Sequence, residues 1–132
     1  MIGLDTNVLV RYIAQDDPKQ SVIANDLIQT LTVDAPGFIT QVALVELVWV
    51  MQRCYQTDRQ ALYTILDMLL RTPELMVENA EAALKALHVF GKTNADFSDC
   101  LIAQCAQMAG CAYTVSFDKN AVKAAGMRMM GG

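Results

Sequence analysis

One histidine and one tryptophan stand in a chain of 132 residues, and only 7% of it is aromatic. With His88 alone, and cysteines not at zinc-ligand spacing, a zinc site is not expected, and the serines lack a histidine partner to act as a base. His88 itself falls on a polar-leaning helix face and reads as an exposed side chain. The four cysteines, Cys54, Cys100, Cys105 and Cys111, form no C-x-x-C pair. They sit in apolar stretches and read as reduced core thiols of a cytoplasmic protein. G-x-S-x-G, P-loop and G-x-G-x-x-G signatures are all missing. No apolar run approaches the ~20 residues of a membrane-spanning helix. The opening MIGLD has no basic segment, so it does not read as a signal peptide. Repeats, low-complexity tracts and Pro/Gly/Ser linkers are absent too, which leaves one domain over 1–132. Positive charge is also scarce: 10 Lys and Arg against 14 Asp and Glu give a net charge of −4. A broad basic stripe of the usual nucleic-acid binder is therefore not available.

Apolar residues are plentiful, at 54% of the chain. That exceeds the ordinary ~45–50% and implies that a second chain covers part of the surface. The eight methionines read as core and interface filler. Short apolar runs alternate with helical patterns. MIGL is a strand ending at Asp5. Asp17 and Pro18 open a helix that runs to about Thr32. FITQ is a second strand, followed by a helix from about Val42 to Tyr55. Asp58 caps RQALYTILDMLLR, and Pro73 follows its end. LMVE is a third strand; Asn79 caps AEAALKALHVF, which Gly91 closes. NADFSD leads into CLIAQCAQMAG, a helix ending at Gly110. CAYTVS is a fourth strand, FDKNAVKAAG a loop with a short helix, MRMM a small last strand, and Gly131 and Gly132 a frayed end. This order implies an α/β domain with a mostly parallel sheet covered on both faces.

Four carboxylates fall on one expected edge. The segment VALVELVWVM holds Glu46 among apolar residues, where an ionised carboxylate is costly without a partner or a cation. A pair with Arg11 or Arg53 is one solution and a wet site is the other. Asp5 ends the first strand, Asp99 lies in the first turn of a helix and Asp118 follows the fourth strand. Strand C-termini and following helix N-termini share the edge where open α/β sheets bind ligands. Each acid also has a structural reading: Asp5 as a turn residue, Asp96 as a helix N-cap with Asp99 as its capping-box partner, Asp118 as a turn or cap. Converging carboxylates repel one another unless protonated or joined by a cation. Oxygen donors alone suit Mg²⁺ or Mn²⁺, which support displacement at phosphorus.

The stretches MIGLDTNVLVRYIAQDDP, QVALVELVWVM, NADFSDCLIAQCAQMAGC and YTVSFDKNA together resemble the PIN-domain ribonucleases, nearest the VapC-type toxins of prokaryotic toxin–antitoxin pairs. The likeness spans nearly the whole chain. It implies a three-layer α/β/α fold around a mostly parallel sheet, and an acidic pocket that uses Mg²⁺ or Mn²⁺ to hydrolyse RNA phosphodiesters. Carried over residue by residue, the family's acids fall on Asp5, Glu46, Asp99 and, more variably, Asp118. Asp5 and Asp99 would ligate metal, Glu46 directly or through water, with Asp118 as the further, more variable member of the set. Thr6, Asn7 and Ser116 match supporting polar positions, as does Asp96. The resemblance also implies a homodimer and a small antitoxin that blocks the pocket. Water would attack phosphorus in line and leave a 5′-phosphate.

The four pocket acids account for the whole net charge of −4, so the remaining surface is balanced. Arg11, Lys119 and Lys123 lie near the acids in sequence and are candidates for phosphate contacts, with ordinary solvated surface charge as the plainer reading. A haloacid dehalogenase-type phosphatase also begins with an Asp after strand one. It needs a second Asp two residues on, where this chain has Asn7. A non-catalytic PIN-like module that acts through a protein partner is the other reading.

Overall fold

The computed structural model describes residues 1–131, so the expected fray at Gly132 lies outside them. The chain gathers into two compact units, Met1–Glu78 and a second that begins at Asn79.

The first unit runs β1 (Ile2–Gly3), α1 (Thr6–Ala14), α2 (Pro18–Thr30), β2 (Gly37–Ile39), α3 (Gln41–Tyr55), α4 (Arg59–Arg71) and β3 (Leu75–Val77). Its three strands are parallel in the order β1-β2-β3, with Ile2 opposite Gly37 and Gly37 opposite Leu75. Gly37 is glycine for want of space: a Cβ there would lie 2.7 Å from Leu4 Cδ1 and 2.9 Å from Leu31 Cδ1. The helix starts follow their caps. Asp17 accepts the N–H groups of Lys19 and Gln20, with Pro18 at the first helical position, where it has no N–H to leave unpaired. Thr40 caps α3 through Ala43 N, and Asp58 caps α4 through Ala61 N. Leu62, Leu66 and Leu69 make one buried stripe on α4, at helical spacing.

Helix α1 is an addition to the elements expected from sequence, which placed no helix before Asp17. Thr6, Leu9 and Val10 turn inward on it. It ends at Gln15, whose left-handed φ of 53° stops the helix, with its N–H on the Arg11 carbonyl.

The second unit contains α5 (Ala80–Lys92), α6 (Phe97–Met108), β4 (Val115–Ser116), α7 (Lys119–Ala125) and β5 (Arg128–Met129). β4 and β5 pair in parallel, Val115 opposite Arg128. α5 and α6 pack on each other, and the rings of Phe90 and Phe97 meet edge to face with centroids 5.9 Å apart. Ala82, Ala83 and Ala86 keep the α5 face flat where it is buried.

Several boundaries depart from the expected ones. The second strand ends at Ile39, and Gln41 already belongs to α3. Asn79 stands at the N-cap of α5 in a left-handed conformation, φ 49°, and its side chain makes no capping bond. Gly91 does not close α5, which continues to Lys92; Thr93 closes it, its N–H and its hydroxyl both on the Val89 carbonyl. α6 ends at Met108, two residues short of Gly110, whose φ of 101° turns the chain away. The fourth strand keeps only Val115 and Ser116; residues 109–110 turn the chain out of α6 and 112 is a bend, so Cys111 to Thr114 lie outside the strand although the Thr114 carbonyl accepts the Arg128 N–H at 2.8 Å. The cysteines depart as well: all four are free thiols, but only Cys100 is buried, and Cys54 and Cys111 are exposed at a helix end and in a turn. His88 is exposed, as expected. Among the described residues no helix is long and apolar enough to cross a membrane.

Candidate active site

In the first unit, Thr6, which follows Asp5 in the chain, reaches Glu46 on α3. Asp5 leaves β1 and occupies the N-cap position of α1, yet its exposed carboxylate makes no capping bond to the helix. Thr6, the first residue of α1, is buried, and its hydroxyl donates to Glu46 Oε1 at 2.9 Å. Glu46 is exposed and pairs with neither Arg11 nor Arg53. α3 is not buried all round, as its apolar sequence suggested. Ala43, Leu44, Leu47, Val48 and Met51 fill the core, while Val42, Glu46 and Trp49 share the outward side. The Arg53 guanidinium lies over the Trp49 ring, 5.2 Å from its centroid.

Arg11 is engaged elsewhere. Its guanidinium donates to Gln20 Oε1 at 2.7 Å, to Asp16 Oδ1 at 3.2 Å and to the Tyr55 hydroxyl at 3.4 Å. Tyr55 in turn donates to Asp16 Oδ2 at 2.8 Å. That bond holds the Asp16 carboxyl below its usual range and pushes the Tyr55 phenol up. The network fastens the α1–α2 turn to the end of α3. Asn7 lines a mostly apolar hollow of about 190 Å³ between α1 and α2, with Val8, Ile23 and Leu27.

The second unit carries the other acids. Asp96 stands at the N-cap position of α6, but its side chain makes no capping bond. The cap reading thus holds for its position and fails for its carboxylate. Asp99 is in the first turn of α6. Burial pushes its carboxyl above the usual range, and the negative charges of Asp96 and then Asp118 add to the effect. Asp118 is a true cap: its Oδ1 accepts the Asn120 N–H at 2.9 Å. Ser116 Oγ accepts the Asp118 N–H at 2.9 Å and fixes the turn from β4 into α7. The Asn120 amide donates to the Asn94 carbonyl at 3.3 Å, tying the start of α7 to the loop that precedes α6. Lys119 and Lys123 are exposed on α7.

Phe117, between Ser116 and Asp118, is 79% exposed. Nothing in the sequence marks it as exposed, because it directly follows the short strand Val115–Ser116, where an apolar residue reads as core.

The donor chemistry is all oxygen. Among the described residues, no group of three or more His, Cys, Asp or Glu is gathered closely enough to hold an ion as it stands. What the second unit does show is a partly buried carboxyl under the field of two more acids. Such crowding is relieved by a proton or by a hard divalent cation, and carboxylate oxygens as a donor type suit hard ions rather than a thiolate- or imidazole-seeking metal.

The model of the PIN domain family matches residues 2–127 and so runs through both units. The helix-rich chain with its parallel strands agrees with the three-layer α/β/α fold of that family. The chain is also similar to a VapC ribonuclease of Aquifex aeolicus (strain VF5), at 24% identity over 117 residues, 89% of this chain and 87% of that protein.

Proposed function

Because the chain belongs to the PIN domain family, we propose that it is a divalent-metal-dependent endoribonuclease, acting as a single PIN-like domain and as the toxin of a toxin–antitoxin pair. The observation that carries the reading is the state of the acids. Asp5 and Asp96 sit at helix starts without capping them, and Asp99 is held where its own charge is unfavourable. Acids kept for stability cap or pair; Asp5 and Asp99 do neither, whereas Asp118 also caps α7 and Glu46 accepts the Thr6 hydroxyl. The similarity to a VapC ribonuclease supports RNA as the substrate.

In this reading Asp5, Glu46, Asp99 and Asp118 form the catalytic set, and Asp5 and Asp99 are the principal ligands of Mg²⁺ or Mn²⁺. The ion supplies Lewis acidity for an in-line displacement at phosphorus. Thr6 holds one oxygen of Glu46 and so orients the other. Ser116 fixes the Asp118 backbone. Asp96 raises the proton affinity of Asp99 and strengthens its demand for a cation. Lys119 and Lys123 meet substrate phosphates. Arg11, bound to Asp16 and Gln20, acts on the site through the packing of α1. A cytoplasmic homodimer with a small inhibitory antitoxin completes the proposal; the outward apolar residues Val42 and Trp49 are surface that such partners cover.

The test is cleavage of a mixed RNA pool by protein freed of any partner, with Mn²⁺ or Mg²⁺ and then with EDTA. Metal-dependent cuts that leave 5′-phosphates are expected. Folded, partner-free protein that cuts nothing with either ion would overturn the reading and favour the non-catalytic binding module.

A further inference from the structure

Phe117 is the most exposed large apolar side chain among the described residues, at 79%. Exposed apolar residues are common on protein surfaces, so exposure alone assigns nothing. Phe117 differs in how it is mounted. Ser116 is paired in β4, and its carbonyl accepts the Met130 N–H at 2.9 Å. On the other side, the Asp118 N–H is held by Ser116 Oγ, and Asp118 caps α7 through Asn120 N. The backbone is thus fixed immediately before and after a ring that faces water. An aromatic presented in this way loses little further freedom on binding a flat partner.

Its place in the unit narrows the partner. Phe117 stands between Ser116 and Asp118, an acid of the catalytic set proposed above, and the Ser116 Oγ–Asp118 N bond closes the backbone around it. Lys119 follows, exposed, at the first position of α7. An aromatic face, a cation and a phosphodiester-directed acid within four consecutive residues match one repeating unit of a single-stranded RNA: a base to stack, a phosphate to neutralise and a bond to cut.

Resting on the ribonuclease reading above, we propose that Phe117 is a positioning residue that stacks on an unpaired base of the RNA substrate beside the scissile phosphate, with Lys119 on the neighbouring phosphate. The substrate class is then single-stranded or loop RNA with at least one splayed base. Fully paired RNA, whose bases have no free face, is not a substrate.

The experiment compares wild type, Phe117→Ala, Phe117→Leu and Phe117→Trp on one single-stranded oligonucleotide that wild type cuts, and on copies carrying one abasic nucleotide on either side of the cut. Loss of a stacked base lowers kcat/KM by roughly 5- to 140-fold. The Ala and Leu variants are expected to show that loss, mainly in KM, and to shift the preferred cut sites; Trp is expected to retain wild-type cleavage. At one abasic position the loss from the missing base and the loss from Phe117→Ala do not add. Equal kcat/KM and an unchanged cut pattern for Phe117→Ala would overturn the inference and leave the ribonuclease reading standing. So would full activity in the Leu variant, or a loss that tracks a change in oligomeric state by light scattering, since either makes the ring an apolar contact. Wild type that cuts no RNA would overturn both.

Discussion

The Thr6 hydroxyl donates to Glu46 Oε1 at 2.9 Å across 40 positions of sequence, joining the start of α1 to the middle of α3. A glutamate in an otherwise apolar helix segment is thereby given one fixed oxygen and one free one. Thr6→Val keeps the shape of this buried side chain and removes the donor. A hydrogen bond to a charged group is worth about 1.5–3 kcal/mol, so kcat/KM on RNA is expected to fall at least about tenfold. The lost bond also lowers the melting temperature, but by less than its full worth, because the exposed Glu46 carboxylate can rehydrate. Thr6→Ser restores the donor and is expected to restore activity. Steady-state kinetics with thermal unfolding separates the two effects.

Asp99 makes a second prediction, in stability. Burial first, then Asp96 and Asp118, hold its carboxyl above the usual 3.8, so the folded chain keeps this proton to higher pH than the unfolded chain does. The stabilisation from that proton is present below the unfolded value and is lost as pH rises through the folded one. At neutral pH the metal-free protein carries the burden of the charge. Asp99→Asn is therefore expected to melt higher than wild type at pH 7, with the advantage shrinking as pH falls through the carboxylate range. A lower melting temperature for the variant at pH 7 would contradict this.

The same residue couples stability to metal. At 100 times its dissociation constant, an ion that binds only the folded chain adds about 2.7 kcal/mol. Mn²⁺ is expected to raise the melting temperature of wild type and to raise that of Asp99→Asn by less, with EDTA reversing both shifts.

Much of this arrangement is legible in the sequence, and the parts that are not fall to local ambiguity or to packing between distant segments. Asp17 with Pro18, and Asp58, mark helix starts by local chemistry, and the structure places caps there. The apolar runs around Phe38 and Met76 become paired strands. α1 is hidden because it is short and its cap position is Asp5, a residue that reads equally well as a strand end. Gly91 looks like a helix stop, but Thr93 supplies the stop two residues later through its bonds to Val89. The acids can be found from sequence; their partners cannot. Thr6 meeting Glu46, Arg11 turning to Asp16 and Tyr55, and Phe117 facing water all depend on how distant segments pack.

The Arg11–Asp16–Tyr55 network gives a prediction of opposite sign. The Tyr55 hydroxyl, first among the causes, lowers the Asp16 carboxyl below the usual 3.8. A depressed carboxyl contributes stability above the unfolded value, and that contribution is lost as pH falls through the folded one. Tyr55→Phe is expected to be less stable than wild type at pH 7 and to approach it in acid. Asp16 in the variant should titrate nearer its ordinary value, which NMR of the side-chain carboxyl reads directly. An unchanged Asp16 titration would remove the network from the account.

The central claim is that the acids serve chemistry, and Asp5 tests it most directly, since its carboxylate caps nothing at the start of α1. The measurement is cleavage of single-stranded RNA in Mn²⁺ by wild type and Asp5→Asn, each shown to be folded by its melting temperature. Cleavage by wild type that EDTA abolishes, with at least about a hundredfold loss in the variant and an unchanged melting temperature, is the predicted result. Undiminished cleavage by folded Asp5→Asn would contradict it.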